Sequence, residues 1–121
     1  MSKAEELLEK KRKSIWFDYT NEEECLRAIA DSDGSVLAYI KDQTPEICMA
    51  AINKDGGNLQ YVKDQTPEIC MAAIKETVFA LQYVKDQTPE LCLAAIKQNE
   101  AALEFVDDDM IPEVAKLLEQ E

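Results

Sequence analysis

The sequence predicts an all-α protein, a solenoid-like array of short helical hairpins with diverged capping helices at its N- and C-terminal ends. Three observations predict this fold. A twelve-residue segment recurs almost unchanged at residues 41–52, 63–74 and 85–96, with an offset of 22 residues each time. Every copy contains Thr-Pro-Glu, which is typical of a helix start, and no stretch alternates as a strand would. Self-similarity at a short fixed period indicates one small unit stacked in a row.

The repeats divide the chain into one domain of six consecutive parts. These are an N-terminal helix, a diverged repeat, three clear repeats and a C-terminal cap, at residues 1–15, 16–38, 39–60, 61–82, 83–104 and 105–121. The diverged repeat is recognised by aligning Cys25 with Cys48, which places Asn21 on Thr44. Diverged ends are expected because the end faces of an array meet water and not another repeat.

Each repeat is expected to begin with an α-helix, as the second clear copy illustrates. Thr66 can accept hydrogen bonds from free amides of the first turn, and Pro67 suits the first helical position because its missing donor has no partner there. Glu68 lies where the helix dipole favours a negative charge. The apolar residues that follow share one face, with Met71 widening it: Ile69, Cys70, Ala73 and Ile74.

A second, shorter helix is expected at about residues 78–84. Its apolar residues share one side: Ala80, Leu81 and Val84. Helices this short are marginal alone, so the units must be stabilised by stacking on their neighbours. The preceding copy has Gly56 and Gly57 in this region, and two glycines cost roughly 2 kcal/mol of helix propensity relative to alanine. We therefore expect a hinge or a frayed turn there.

The amino-acid sequence of the repeat resembles that of a known family. The run from Tyr61 to Lys75, with Gln-Thr-Pro-Glu-Ile-Cys at its centre, resembles an α-helical repeat family catalogued as a domain of unknown function (number four-one-one-six). Arrays of that family occur in bacteria, some protists and large viruses. The resemblance covers roughly residues 15–107 and implies a helical array without an assigned activity, so no catalytic residue is carried over. This chain departs from the family's common Asn-Gly turn at residues 76–78 and 99–101.

Four cysteines occupy one equivalent position per repeat: Cys25, Cys48, Cys70 and Cys92. Equivalent positions in stacked hairpins lie roughly 9–10 Å apart, whereas a disulfide needs Cα atoms closer than about 7 Å. The chain has no histidine and no paired cysteine spacing, so a zinc site is not indicated. We expect buried, reduced thiols that pack as small hydrophobic groups, and with them a cytoplasmic location.

Five aromatic residues form a second register-matched set: Trp16, Tyr39, Tyr61, Tyr83 and Phe105. Such a ladder could stack bases or grip a peptide. The tryptophan and phenylalanine replacements keep the size and lose the hydroxyl group, which favours packing. We therefore expect each ring to pack into the next hairpin, with the tyrosine hydroxyl groups at the rim.

The link before each helix start repeats Lys-Asp-Gln and should form a polar stripe along one edge. Repeat proteins often bind through such an edge. The predicted partner-binding residues are Asp42, Gln43, Asp64, Gln65, Asp86 and Gln87. The other interpretation is that these residues only keep the link soluble and support the helix caps. As an exposed polar residue, Gln65 is expected to be replaceable by alanine with little effect on stability.

Charge is the strongest functional hint in the chain. It has 13 basic and 25 acidic residues, a net charge of −12. Residues 1–13 hold five basic and three acidic residues, including a basic patch at residues 10–13, so residues 14–121 carry −14. An acidic body repels phosphate, which disfavours nucleic-acid binding. Three consecutive carboxylates at residues 107–109 lack the spacing of a Ca²⁺ or Mg²⁺ loop and are expected to open the closing helix.

No enzyme chemistry is predicted, because there is no histidine, no glycine-rich phosphate loop and no activated nucleophile. No cofactor, metal site, signal peptide or membrane span is expected. The sequence predicts a non-enzymatic protein-binding repeat module that presents an acidic surface to a basic partner. Two alternatives are an acidic nucleic-acid mimic that inhibits a nucleic-acid-binding protein, as in mobile elements, and a homo-oligomeric structural protein.

Overall fold

The chain folds as alternating α-helices and 3₁₀-helices. The structure is a computed structural model and describes residues 2–8 and 21–121. The α-helices are α1 (helical at residues 3–8), α2 (Glu22–Ala30), α3 (Pro45–Lys54), α4 (Pro67–Glu76), α5 (Pro89–Gln98) and α6 (Ile111–Glu119). The 3₁₀-helices are η1 (Ser35–Tyr39), η2 (Gly56–Tyr61), η3 (Val78–Tyr83), η4 (Glu100–Phe105) and η5 (Asp108–Met110). The described residues contain no strand, and the predicted all-α array is confirmed.

The α-helix of each clear repeat begins as predicted. The Thr66 hydroxyl accepts a hydrogen bond from the backbone nitrogen of Ile69 at 3.3 Å, and Pro67 is the first residue of α4. Thr44 and Thr88 cap α3 and α5 in the same way, and each of these two hydrogen bonds is 3.2 Å long. The recurring Thr-Pro pair therefore sets where each helix starts.

The diverged repeat follows the same plan. Asn21 caps α2 by accepting from the backbone nitrogens of Glu23 at 2.9 Å and Glu24 at 3.3 Å. The helix then buries Cys25 and Ile29. Asn21 thus does in α2 what threonine does in the later repeats, which is the role that the sequence alignment gave it.

The buried faces of the α-helices form one continuous core. α4 buries the four predicted residues, while Met71 is half-buried beside them. Each α-helix packs against the next one in the chain, from α2 through α6. Val114 of α6 is only 3% exposed and closes the core at the C-terminal end. Stacking of neighbours, and not any single hairpin, therefore supplies the buried surface.

The second element of each hairpin is a 3₁₀-helix, whereas the sequence predicted a short α-helix. In the second clear repeat it covers Val78–Tyr83, close to the predicted bounds. A 3₁₀-helix has three residues per turn, so positions three apart lie on one line. Val78, Leu81 and Val84 have this spacing and are all buried, as are Gly56, Leu59 and Val62 in the repeat before it. The apolar spacing of three favours the tighter helix.

A single extended residue joins the α-helix to the 3₁₀-helix in every clear repeat. Asp55, Thr77 and Asn99 share this role, with φ between −156° and −161° and ψ between 117° and 130°. Each side chain accepts a hydrogen bond from the backbone nitrogen two residues later, at 2.9 to 3.3 Å. The turn is the same in all three repeats, so Thr77-Val78 and Asn99-Glu100 adopt the same geometry as Asp55-Gly56.

The expected hinge at Gly56 and Gly57 is wrong, because both residues belong to the regular helix η2. A Cβ atom at Gly56 would lie 2.6 Å from the carbonyl oxygen of Ala73 and 2.9 Å from Cγ2 of Thr77. Both contacts belong to the next repeat, which approaches the chain closely at this point. Glycine is therefore required for packing here, and this contact outweighs its low helix propensity.

The ends of the chain differ in how they are capped. The Ser2 hydroxyl accepts a hydrogen bond from the backbone nitrogen of Glu5 at 3.1 Å, which caps the start of α1. Trp16 and the basic patch at residues 10–13 lie outside the described residues. At the other end, Lys97 forms an ion pair with Glu121, which holds the chain end to α5.

No helix in the described residues is long and apolar enough to cross a bilayer.

Replacing Gly56 by alanine should lower the free energy of unfolding by about 1–3 kcal/mol, the usual cost of overfilling a close-packed site. Gly57→Ala is the matched control, because its new Cβ would meet only the Asp55 carboxylate, at 3.3 Å. The control should be neutral or stabilising, since alanine restricts the unfolded chain. Urea unfolding followed by circular dichroism measures both. An equal loss in the two variants would contradict the packing role of Gly56.

Candidate functional site

The three Lys-Asp-Gln links lie side by side at the N-terminal ends of α3, α4 and α5. We call residues 41–43, 63–65 and 85–87 the link edge. The Lys63 ammonium donates to the carbonyl oxygen of Lys41 at 3.4 Å, and the Lys85 ammonium donates to that of Lys63 at 3.1 Å. These bonds connect equivalent positions 22 residues apart, so the links are in register and form one stripe.

The glutamine of each link joins two repeats. The Gln65 Nε2 donates to the carbonyl oxygens of Leu59 in η2, at 3.2 Å, and Tyr83 in η3, at 2.9 Å. Its Oε1 accepts from the backbone nitrogen of Lys85 at 3.0 Å. One amide therefore bonds to three backbone groups and ties each 3₁₀-helix to the following one.

The same arrangement occurs in the other two links. The Gln43 amide donates to the carbonyl oxygens of Leu37 and Tyr61 and accepts from the backbone nitrogen of Lys63. The Gln87 amide donates to the carbonyl oxygens of Leu81 and Phe105 and accepts from the backbone nitrogen of Asp107. These six hydrogen bonds are 2.8 to 3.5 Å long. The amides predicted to contact a partner are thus engaged within the array. The expectation that Gln65→Ala has little effect is reversed, because Gln65 is half-buried and holds two repeats together.

A cysteine lies behind each of these amides. The thiols of Cys48, Cys70 and Cys92 are directed at the Oε1 atoms of Gln43, Gln65 and Gln87, at 3.8, 3.8 and 3.4 Å. All four cysteines are buried and none forms a disulfide, as predicted. Burial raises the pKa of each thiol, and it raises the pKa of Cys92 to about 11 with a further contribution from Asp107. A raised pKa keeps these thiols protonated and chemically inert.

The aspartates of the link edge are exposed, as are its lysines. Asp42, Asp64 and Asp86 are exposed, and no ion pair of the described chain includes them. Asp42 contributes to the raised pKa of Cys25, and Asp64 to that of Cys48, so each carboxylate lies near the thiol of the preceding repeat. Asp42 and Asp64 thus lie at junctions between repeats, and no ion pair within the described residues neutralises them.

A cleft of about 290 Å³ opens on the link edge between the first two clear repeats. Asp42 and Asp64 both line it, together with the apolar groups of Pro45 and Ile69 and the buried thiol of Cys48. Lys41 and Lys63 line it as well, so its walls carry both signs of charge. Within the described residues, no group of three or more metal-binding side chains is present.

The aromatic ladder is mostly packed. Tyr61, Tyr83 and Phe105 are half-buried against the core, whereas Tyr39 is 67% exposed. Phe105 packs edge-on against Phe79, with ring centroids 5.7 Å apart. Phe79 lies in η3 and Phe105 in η4, so this ring packs backward onto the preceding 3₁₀-helix and not into the next hairpin. Packing explains three of the described positions, and Tyr39 is the exception.

Replacing Gln65 by alanine should lower the free energy of unfolding by about 2–4 kcal/mol, because it removes three hydrogen bonds between repeats, two of them to part-buried carbonyl oxygens. Gln60→Ala is the matched control, since the Gln60 amide makes one exposed bond within its own 3₁₀-helix, to the Gly57 oxygen at 3.0 Å. The control should change stability by less than about 0.5 kcal/mol. Chemical unfolding compares the two. Equal stabilities would show that the Gln65 amide does not hold the junction.

Stability should fall as pH rises from about 9 to 11. The thiol pKa values are raised in the folded state from 9.0, that of Cys92 to about 11. Below pH 9 the thiols are protonated in both states; above it the unfolded chain loses its protons first, so folding is disfavoured. Urea unfolding at pH 8, 9, 10 and 11 measures the fall. The free energy of unfolding should fall less steeply with pH in the Cys92→Ala variant. An equally steep fall in that variant would show that Cys92 does not contribute to the pH dependence.

Comparison with known proteins gives a family match for the central repeats. Residues 44–88 match the family model described as Domain of unknown function (DUF4116). No curated protein and no solved structure matches the chain. The matched span runs from Thr44, which caps α3, to Thr88, which caps α5, so it contains two complete units of α-helix, 3₁₀-helix and link. The resemblance predicted from the sequence is therefore confirmed over residues 44–88, which are similar to this family of unknown function.

Proposed function

We propose that the chain is a non-enzymatic repeat module that binds a basic protein through the aspartates of the link edge. The observation that carries the proposal is the row of exposed carboxylates at Asp42, Asp64 and Asp86, which no cation of the described chain pairs with. The glutamines predicted beside them have a structural role, so the proposed contacts fall on the aspartates. The glutamines position these contacts by fixing the spacing of the links.

The charge of the whole chain supports a basic partner. A net charge of −12 produces a negative field that attracts a cationic surface and speeds its encounter. Two of the three lysines of the edge are engaged elsewhere, because the ammonium groups of Lys63 and Lys85 donate to backbone carbonyls of the preceding link. The carboxylates are thus the acceptors that the edge offers to another molecule.

The chemistry of the cysteines supports a binding role over catalysis. A nucleophilic cysteine requires a lowered pKa and access to a substrate. Here burial raises the pKa of each thiol, and Cys48, Cys70 and Cys92 are at most 3% exposed. The chain has no histidine to act as a base near neutral pH. Reduced thiols also fit the proposed cytoplasmic location.

Reversing Asp42, Asp64 and Asp86 together to lysine should leave the array helical and weaken binding to an arginine-rich peptide by at least about tenfold. The control is the triple reversal of Glu100, Glu104 and Glu119 to lysine; these residues are exposed and are not part of the link edge. The two variants have the same net charge, so only a local site distinguishes them. Fluorescence anisotropy at 50 and 200 mM salt measures both affinities. An equal loss in the two variants would point to diffuse attraction and exclude a site on the link edge.

Salt and nucleic acid provide a second check on the same complex. Binding by the wild-type chain should weaken between 50 and 200 mM salt, because screening shortens to about 8 Å at physiological ionic strength. Once a protein partner has been isolated, DNA or RNA is added to the complex. Displacement of this chain by nucleic acid would favour the nucleic-acid mimic over a general binding module.

A further inference from the structure

We infer that copies of this chain associate head to tail, with helix α1 of one copy covering exposed apolar residues at the C-terminal end of the next copy. These residues are Leu103 of η4 and Ile111 and Leu118 of α6, and we call them the end face. The inference goes beyond the proposed function and involves no residue of the link edge. It follows from an incomplete junction at the end face and from the complementary pattern of α1.

Leu103 is exposed at a position that is buried in the other repeats. It is 45% exposed, whereas its three counterparts are 0% exposed: Leu37, Leu59 and Leu81. An interior 3₁₀-helix is covered by the elements that follow it, as η2 is covered by α4 and η3. No comparable packing joins η4 to α6 or η5. Leu103 therefore lacks the helix that covers this leucine elsewhere in the array.

The hydrogen bonds of the junction are incomplete at this end as well. The backbone carbonyl oxygens of the three counterparts each accept from the glutamine amide of the following link. The residue 22 positions after Gln87 is Asp109, and an ionised carboxylate has no proton to donate to the Leu103 carbonyl oxygen. A junction of the same kind is therefore not formed after η4.

Helix α6 contributes the other part of the exposed apolar surface. Ile111, Val114 and Leu118 share one helix face by their spacing, yet only Val114 is buried. Helix α4 buries four residues on its corresponding face. Because η4 and α6 both pack against α5, Leu103 and the exposed residues of α6 lie at the same end of the array.

Helix α1 has the pattern that this surface requires. Ala4, Leu7 and Leu8 are three and four positions apart, so they share one face of the helix. All three are exposed, and both leucines are exposed by more than half. Two apolar surfaces that each lack a cover gain free energy by burying each other.

Charge complementarity favours contact between α1 and the end face over contact between two end faces. Residues 1–13 carry a net charge of +2, with four basic residues in succession at 10–13. Residues 100–121 contain eight acidic residues and one basic residue, a net charge of −7. The basic residue, Lys116, is already paired with Glu113 at 3.5 Å. The N-terminal segment of another copy is therefore attracted to this end, whereas two such ends repel each other.

The α1 of a second copy fits better than the α1 of the same chain. Helix α2, which follows α1, is separated from α6 by four packing steps of about 8–10 Å, or about 32–40 Å in all. The twelve residues between Leu8 and Asn21 span at most about 43 Å when fully extended, so contact within one chain would require nearly complete extension. A head-to-tail contact leaves one surface free at each end, so further copies can add.

Two complementary variants test the contact. Leu7→Ser with Leu8→Ser removes the apolar face of α1, and Ile111→Ser with Leu118→Ser removes that of α6. In sedimentation equilibrium the average mass of the wild-type chain should rise between about 10 and 500 µM, because a small interface gives weak association. Each variant alone should stay monomeric. Their equimolar mixture should form a heterodimer and nothing larger, because one variant retains the end face and the other retains α1.

Two further variants keep the test independent of the apolar substitutions. Asp108→Lys with Asp109→Lys changes only exposed side chains and should also abolish self-association, because it repels the basic N-terminal segment. Tyr39→Ser is the matched control, an exposed apolar residue outside both surfaces, and should leave the association unchanged. Circular dichroism checks that every variant is helical.

Three results would overturn the inference. A wild-type mass that does not change with concentration would show that no second copy covers the end face. Self-association of either apolar variant alone, without a heterodimer in the mixture, would show contact between like ends. An equal loss of association in Tyr39→Ser would show non-specific attraction between exposed apolar residues.

Discussion

The stacking of the repeats depends on a glutamine side-chain amide, which takes the place of backbone-to-backbone hydrogen bonds between neighbouring repeats. Short 3₁₀-helices have no ladder of hydrogen bonds with which to recognise one another, and helices of this length are marginal alone. In each link a glutamine supplies a donor to two carbonyl groups and an acceptor to one backbone nitrogen. Glutamate has no donor, and asparagine is one methylene shorter. The amide therefore fixes both the distance between repeats and the position of the exposed aspartate beside it.

Much of the fold could be predicted because its signals are local. The Thr-Pro-Glu starts, the buried face of α4 and the burial of the cysteines all follow from residue type and spacing. The 3₁₀-helices could have been predicted from the spacing of three between Val78, Leu81 and Val84. The hinge at Gly56 could not be excluded in the same way, because the contact that requires glycine comes from Ala73 in the next repeat.

The candidate site was only half predictable for a related reason. The order Lys-Asp-Gln placed three polar residues in one exposed link, and the sequence does not distinguish an amide that faces water from one that faces a neighbouring repeat. The structure separates them, since Gln65 is half-buried and Asp64 is exposed. The near-identity of the three copies does not distinguish the two roles, because a residue that stabilises the array and a residue that binds a partner are repeated equally. Only the three-dimensional contacts assign the two roles.

The bonds made by each glutamine also bear on how such a chain changes its length. Gln87 makes its contacts to Phe105 and Asp107, where the earlier links use tyrosine and lysine, and the distances remain 2.8 and 2.9 Å. Apart from the cysteine thiol behind it, each glutamine amide bonds only to backbone atoms, and every residue except proline supplies both the donor and the acceptor. A further unit of 22 residues inserted between two existing units would form the same junction with both neighbours, so no new interface would be required. Duplication and loss of whole units would then vary the number of aspartates in the row while every internal contact stays the same.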